Sequence, residues 1–236
     1  MTSALTYSPQ QDPQTLPAPG TGPRPYPGFF LAFEGPDGSG KTTQIKALAQ
    51  TLTQAGYSVL ATREPGGTEI GEKLRSLVLE QGQGEVDPHT EALIFAASRA
   101  AHAHQKIRPA LQAGSIVLCD RYIDSSAAYQ GAGRGLGVQA IQDLSRWATS
   151  NLLPDLTILL DLPLELGRQR VDSRGAKDRI ESAGDDFRRS LQATYLQLAQ
   201  ADPSRYALID ASGSPQQVAA QIWQALQSRL PEAEKK

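Results

Sequence analysis

Three glycines in six residues, then a lysine and two hydroxyls, lie between an apolar run and a helical stretch: Gly35-Pro36-Asp37-Gly38-Ser39-Gly40-Lys41-Thr42-Thr43. The spacing fits the phosphate-binding loop G-x-x-x-x-G-K-[ST]. Glycines let backbone N–H groups converge on phosphate oxygens, and the following helix N-terminus adds partial positive charge. Lys41 is expected to reach the transferred phosphate, and the Thr42 hydroxyl to ligate Mg²⁺. Asp37 is unusual here, because a carboxylate among phosphate ligands is unfavourable unless something requires it. A guanine-specific GTPase is excluded, since the single asparagine, Asn151, precedes leucine rather than the lysine of Asn-Lys-x-Asp. One small chain with one such loop points to a kinase for a small molecule.

Further charged and aromatic residues lie beyond the loop. Arg63 ends a strand-like run, and Asp120-Arg121 ends another. Two arginines can neutralise a doubly charged monophosphate and align it for in-line attack. Phe95 and Arg99 stand four apart on one helix and share a face. Between Arg168 and Arg179 lies a cluster of cations able to stabilise charge during phosphoryl transfer.

The elements that must position these groups alternate. Strands are expected over Phe29–Glu34, Tyr57–Thr62, Ser115–Asp120, Leu156–Leu162 and Tyr206–Asp210. Helices are expected over Lys41–Ala55, Ile70–Gln81, from Asp87-Pro88 to Gly114, over Leu136–Ser150, from Pro163 to about Arg174, and over Gly184–Gln200 and Pro215–Leu230. This alternation predicts an α/β fold with a five-stranded parallel sheet flanked by helices, its ligands at the strand C-termini.

The 236 residues suffice for one sizeable core. We expect one kinase domain over 29–236, with a lid at about 170–184. Residues 1–28 carry seven prolines and two charges and are expected to be a disordered extension. A net charge of −2 demands neither nucleic acid nor membrane. No apolar run approaches a membrane span, so cytoplasmic residence is the default. Cys119, the only cysteine, reads as a buried strand residue, and His89, His102 and His104 lack metal-ligand spacing.

With the loop, four segments closely resemble the thymidylate kinase family from about Phe29 to Leu230. They are Thr62-Arg63-Glu64-Pro65-Gly66-Gly67-Thr68, Phe95-x-x-x-Arg99, Asp120-Arg121-Tyr122 with Ser125-Ser126-Ala127-Ala128-Tyr129-Gln130-Gly131, and Arg174-Gly175-x-x-Asp178-Arg179-Ile180-Glu181. The resemblance implies a nucleoside monophosphate kinase-like P-loop fold. The reaction would be ATP-dependent phosphorylation of dTMP to dTDP with Mg²⁺, in a homodimer. It implies ATP phosphates on Gly35, Pro36, Asp37, Gly38, Ser39, Gly40, Lys41, Thr42 and Thr43, with Arg170 nearby. Thr42 and Asp120 would serve the metal. Thymine would stack on Phe95 beside Arg99, with Ser126 and Gln130 at its N3 edge. Arg63 and Arg121 would hold the dTMP phosphate, Asp37 would meet the 3′-hydroxyl, and Tyr129 would crowd the 2′ position. Glu64-Pro65-Gly66 looks mainly structural.

The catalytic set is then Lys41, Asp37, Arg121 and a lid arginine. One branch of the family carries an arginine in the loop, where this chain has Gly38, so the resemblance moves the catalytic cation to the lid. Arg174, just before the hinge-permitting Gly175, matches best, and Arg170 is second. Arg174→Ala is predicted to lower kcat by about two orders of magnitude or more, with little change in dTMP KM. Steady-state kinetics check this, and an unchanged kcat removes Arg174 from that role.

Overall fold

The computed structural model describes residues 25–80, 82, 84–172 and 184–231. Its strands are β1 (Phe29–Glu34), β2 (Val59–Arg63), β3 (Ile116–Asp120), β4 (Leu156–Asp161) and β5 (Tyr206–Asp210). They pair in parallel in the order β2-β3-β1-β4-β5. Alternation along β1 sends its side chains to opposite faces. Phe29, Leu31 and Phe33 pack with Ile45, Leu48 and Leu52 of α1 (Lys41–Gln54) and with Val218, Ile222 and Leu226 of α9 (Pro215–Leu226). Phe30 and Ala32 pack on the other side against Ala103, Ile107, Leu111 and Tyr122. Both faces are therefore covered, as a parallel sheet with apolar strands requires.

The helix expected from Asp87-Pro88 to Gly114 is interrupted. It runs as α3 (Pro88–His102), a π-helical turn (Ala103–Ile107) and α4 (Arg108–Gln112). Pro109 lies just after that turn. It lacks the N–H for an i→i−4 bond, and its ring would meet the carbonyl of residue 105 in an unbroken α-helix. Asp87 caps α3 by accepting from His89 N and Thr90 N at 2.9 and 3.1 Å.

α2 (Glu69–Leu79) starts at Thr68, whose hydroxyl accepts from Gly71 N. The stretch after β3, for which the sequence pattern predicts no element, forms α5 (Ile123–Ser126) and continues as a π-helix, Ala127–Gly133. Its buried alanines pack on Leu191, Tyr195 and Leu198 of α8 (Asp185–Ala201). α6 (Val138–Ala148) and α7 (Leu164–Asp172) complete the described helices.

The amino-terminal boundary differs from the expected residue 28. Tyr26 packs on the core, its hydroxyl accepts from Arg108 Nη1 at 2.5 Å, and Gly28 N donates to Leu111 O at 3.0 Å. Gly28 is required by close approach, since a Cβ there would lie 2.4 Å from Ser115 O. The remaining extension, residues 1–24, and lid residues 173–183, Arg174 among them, lie outside the described residues.

Leu31, fully buried in the central strand, tests the core. Leu31→Ala is expected to lower stability by about 2–5 kcal/mol. Urea unfolding would show this as a lower midpoint with an unchanged m-value.

Candidate active site

β1 lies between β3 and β4, so connections diverge at its C-terminal end and open a crevice there. The loop Gly35–Gly40 leaves β1 with positive φ at Gly35, Gly38 and Gly40, and Gly40 N-caps α1. Lys41 Nζ folds back to donate to Gly35 O and Pro36 O, both at 3.0 Å. Buried Ser39 Oγ has no partner among the described residues. This cradle fits a phosphate chain. Burial and the neighbouring Arg121 push the Lys41 ammonium down to about 8, against the pull of Asp37 and Asp120.

The Thr42 hydroxyl donates to Asp120 Oδ2 at 2.9 Å. These adjacent hard oxygen donors fit Mg²⁺ completed by phosphate oxygens and water. A cavity of about 130 Å³ lies over Lys41, Thr42, Thr43, Asp120 and Arg121. Gly38 faces α7, where a Cβ would come 2.6 Å from Gly167 O. An arginine at this position would therefore displace that helix. Arg170, on α7, donates to Gly38 O and Ala211 O, both at 3.3 Å. It bridges the loop to the turn after β5.

A larger cavity of about 270 Å³ adjoins the cradle. It is lined by Asp37, Arg63, Phe95, Arg99, Arg121, Ser126, Tyr129 and Gln130, together with Thr42, Glu64, Pro65, Arg75, Leu79, Asp120 and Ser125. All eight acceptor-site residues expected from the sequence therefore meet in one space. Asp37, Thr42, Asp120 and Arg121 line both cavities.

Arg121 has φ 65, a left-handed backbone that its glycine-free position must be held in. Glu34 holds the turn by accepting from Tyr122 N at 2.7 Å and Ser125 N at 3.1 Å. Burial and nearby Asp124 push the Glu34 carboxyl up to about 7, although Ser125, Arg121 and Tyr122 N favour its charge. The Arg121 guanidinium pairs with Asp37 through Nη2, and its Nη1 reaches Ser125 Oγ at 3.1 Å and Tyr195 OH at 3.3 Å. Tyr129 OH donates to Asp37 Oδ2 at 3.0 Å. Burial opposes the charge on Asp37, but Arg121, Lys41 and Tyr129 outweigh it and hold the carboxyl at about 2.

Phe95 packs with Val78 and Leu79 and lines the cavity beside Leu79. Arg99 is almost fully buried rather than a solvated charge. Its Nε donates to Glu64 Oε2 at 2.6 Å, and its Nη2 to Ser126 Oγ at 3.0 Å and Tyr122 O at 3.1 Å. The other Glu64 oxygen meets His102 Nδ1 at 3.0 Å, and His102 Nε2 meets Thr62 Oγ1 at 2.7 Å. Glu64 is thus the counter-charge of Arg99 as well as part of a turn, and its bond to Pro65 is cis. Arg63 is more exposed and donates to both oxygens of Glu72 at 3.0 Å.

Sequence reasoning leaves Glu34, Arg75, Glu91, Ser125 and Tyr195 unassigned. Arg75 enters the cavity from α2 with Nη1 on Pro65 O. The only sequence signal for it is an arginine beside the apolar side of α2.

The thymidylate kinase family model matches residues 33–222. A thymidylate kinase from Exiguobacterium sibiricum is 46% identical over 208 residues, covering 88% of this chain and 98% of the relative. One from Thermomicrobium roseum is 51% identical over 197 residues, covering 83% and 92%. A crystal structure of thymidylate kinase from Ehrlichia chaffeensis superposes with a TM-score of 0.70 at 32% identity, over 84% of this chain and 98% of that one.

A phosphate in the cradle would pair with the charged form of Lys41, whose unliganded ammonium is pushed down to about 8. Binding a nucleoside triphosphate above that pH therefore takes up a proton, and affinity falls as pH rises. Between pH 7 and 9.5 the Kd is expected to rise about tenfold or more. Calorimetric titration checks it, and Lys41→Arg, which does not titrate in this range, should flatten the dependence.

Proposed function

The chain belongs to the thymidylate kinase family, and from that premise we propose how the residues of the two cavities divide the work. The reaction is ATP-dependent phosphorylation of dTMP to dTDP, with Mg²⁺. We assign the triphosphate to the cradle Gly35–Thr43, with Lys41 on the transferred phosphoryl group and Thr42 and Asp120 as the protein's metal ligands. Mg²⁺, when bound, neutralises phosphate charge.

dTMP takes the larger cavity. Its thymine lies on Phe95 beside Arg99, with Ser126 and Gln130 at the N3 edge. Its sugar lies between Asp37 and Tyr129, and its phosphate between Arg63 and Arg121. A dTMP phosphate oxygen forms the new P–O bond as the bond to the departing ADP breaks. That oxygen is already ionised, so Asp37 removes no proton in this step. Asp37 instead sets the position of Arg121 and Tyr129.

The observation that carries this reading is the sharing of Asp37, Thr42, Asp120 and Arg121 by the phosphate cradle and the larger cavity. Donor and acceptor phosphates bound there would meet over the same four side chains, as in-line transfer requires. The lid cation is assigned to Arg174, with Arg170 held against the loop as its neighbour.

Residues beyond the extension are proposed to act as one kinase domain, resident in the cytoplasm. No helix among the described residues is long and apolar enough to cross a membrane. A homodimer is proposed as well. The run Ala96–Ala103 is largely used inside the protomer, but Ile70, Leu77, Leu93 and Trp147 are exposed on α2, α3 and α6.

Purified protein with ATP and dTMP, dUMP, dCMP, dGMP or thymidine separates the alternatives. dTMP is expected to give the highest kcat/KM, and thymidine almost no turnover because it leaves Arg63 and Arg121 without an anion. Preference for another acceptor, or ATP binding without dTDP formation, would overturn the assignment.

A further inference from the structure

Glu91 lies one helical turn before Phe95 on α3, so both point the same way from it. It is almost fully buried, yet the reaction gives it no role. Its carboxylate accepts from Gln130 Nε2 at 3.0 Å and from Arg134 Nε and Nη2, both at 3.2 Å. Arg134 in turn lies over the Phe187 ring at 5.4 Å. Gln130 is also buried, and it lines the larger cavity.

An amide carries a donor end and an acceptor end, and buried surroundings decide which faces a ligand. A carboxylate paired with a guanidinium only accepts. It therefore holds the Nε2 end of Gln130 and leaves Oε1, which has no partner among the described residues, as the end available to a ligand. The neighbouring groups have the opposite polarity. Ser126 Oγ already accepts from Arg99 Nη2, so its own proton remains to be donated, and Arg99, with one N–H left beyond its bonds to Glu64, Ser145, Tyr122 O and Ser126, only donates. The cavity thus presents a fixed acceptor beside fixed donors.

We propose that Glu91 is a specificity-determining positioning residue: it locks the Gln130 amide so that the cavity accepts pyrimidines with an imide edge and rejects those with an amidine edge. This rests on the reading of the cavity as the dTMP site. Thymine and uracil offer an N3–H donor flanked by carbonyl acceptors, which complements Gln130 Oε1 with Ser126 and Arg99. Cytosine offers an N3 acceptor beside an amino donor and is mismatched at both positions. A reversed Gln130 amide would remove the mismatch at N3. Arg99 alone guards only the exocyclic group. The lock is blind to the 5-methyl group, so it separates dTMP from dCMP but not dTMP from dUMP.

Glu91→Gln tests this, because it keeps the shape while offering Gln130 either a donor or an acceptor. The dTMP/dCMP ratio of kcat/KM is expected to fall about tenfold or more, mainly through KM, with kcat for dTMP within about threefold. The dTMP/dUMP ratio should stay within about twofold. A loss common to all three substrates, leaving the dTMP/dCMP ratio unchanged, would overturn the proposal. So would effects of Glu91→Gln and Gln130→Ala that multiply fully in the double variant.

If Glu91→Gln does not fold, the wild-type protein still decides by NMR. With the Gln130 signals identified by their loss in Gln130→Ala, dTMP should shift the side-chain carbonyl carbon and leave the NH₂ protons slow to exchange. A ligand contact at the NH₂ group instead would sink the idea. Wild-type protein that does not prefer dTMP over dCMP would defeat the dTMP reading itself. A normal wild-type preference that Glu91→Gln leaves intact would defeat only the role of Glu91.

Discussion

A partly buried guanidinium at the C-terminal edge of the sheet is the constraint around which the site is arranged. An uncompensated charge partly removed from water is unfavourable, and Arg121 draws in partners from separate elements. Asp37 comes from the phosphate loop, Ser125 from α5 and Tyr195 from α8. Its left-handed backbone directs the side chain into the crevice, and Glu34, beneath it at the end of β1, secures the turn. The unusual carboxylate in the phosphate loop acquires a physical reason from this. Asp37 balances Arg121 and is itself held ionised by Arg121, Lys41 and Tyr129.

Arg99, which is almost fully buried, shows how the same side chain can suit a different ligand. Arg99 has its own internal counter-charge in Glu64, backed by His102 and Thr62. Neutralised within the protein, it suits an uncharged carbonyl. The region of Arg121, which also contains Lys41 with Arg63 nearby, suits phosphate. Arg99 is thus isolated with one counter-charge, whereas Arg121 lies among further cations, so one end of the cavity suits an uncharged base and the other a phosphate. Glu91 extends this logic from charge to hydrogen-bond polarity. Buried acidic groups thereby limit what their neighbours can recognise.

The parts legible in the sequence had local signals. The loop announces itself through glycine spacing, Lys41 and Thr42, and the alternation of apolar runs with amphipathic stretches implies the parallel sheet. Phe95 and Arg99 stand out at helical spacing. Glu34 has no such signal, because Ser125, which it holds, is 91 residues away. Glu91 meets Gln130 from 39 residues away. The helix after β3 escapes pattern reading because its alanines and glycines gain stability from packing on α8, not from propensity.

By itself, the sequence determined the phosphate loop, the order of the strands and most of the helices between them, and the set of residues that resemble a dTMP site. These follow from short-range rules: periodicity, caps, turn residues and motif spacing. Tertiary structure decided which end of each side chain is left for a ligand. It set Arg99 against Glu64, Gln130 against Glu91 and Arg121 against Asp37, and it placed Gly38 too close to α7 for a larger residue. Hydrogen-bond polarity and charge compensation depend on what is buried opposite, and burial is created only when distant segments pack.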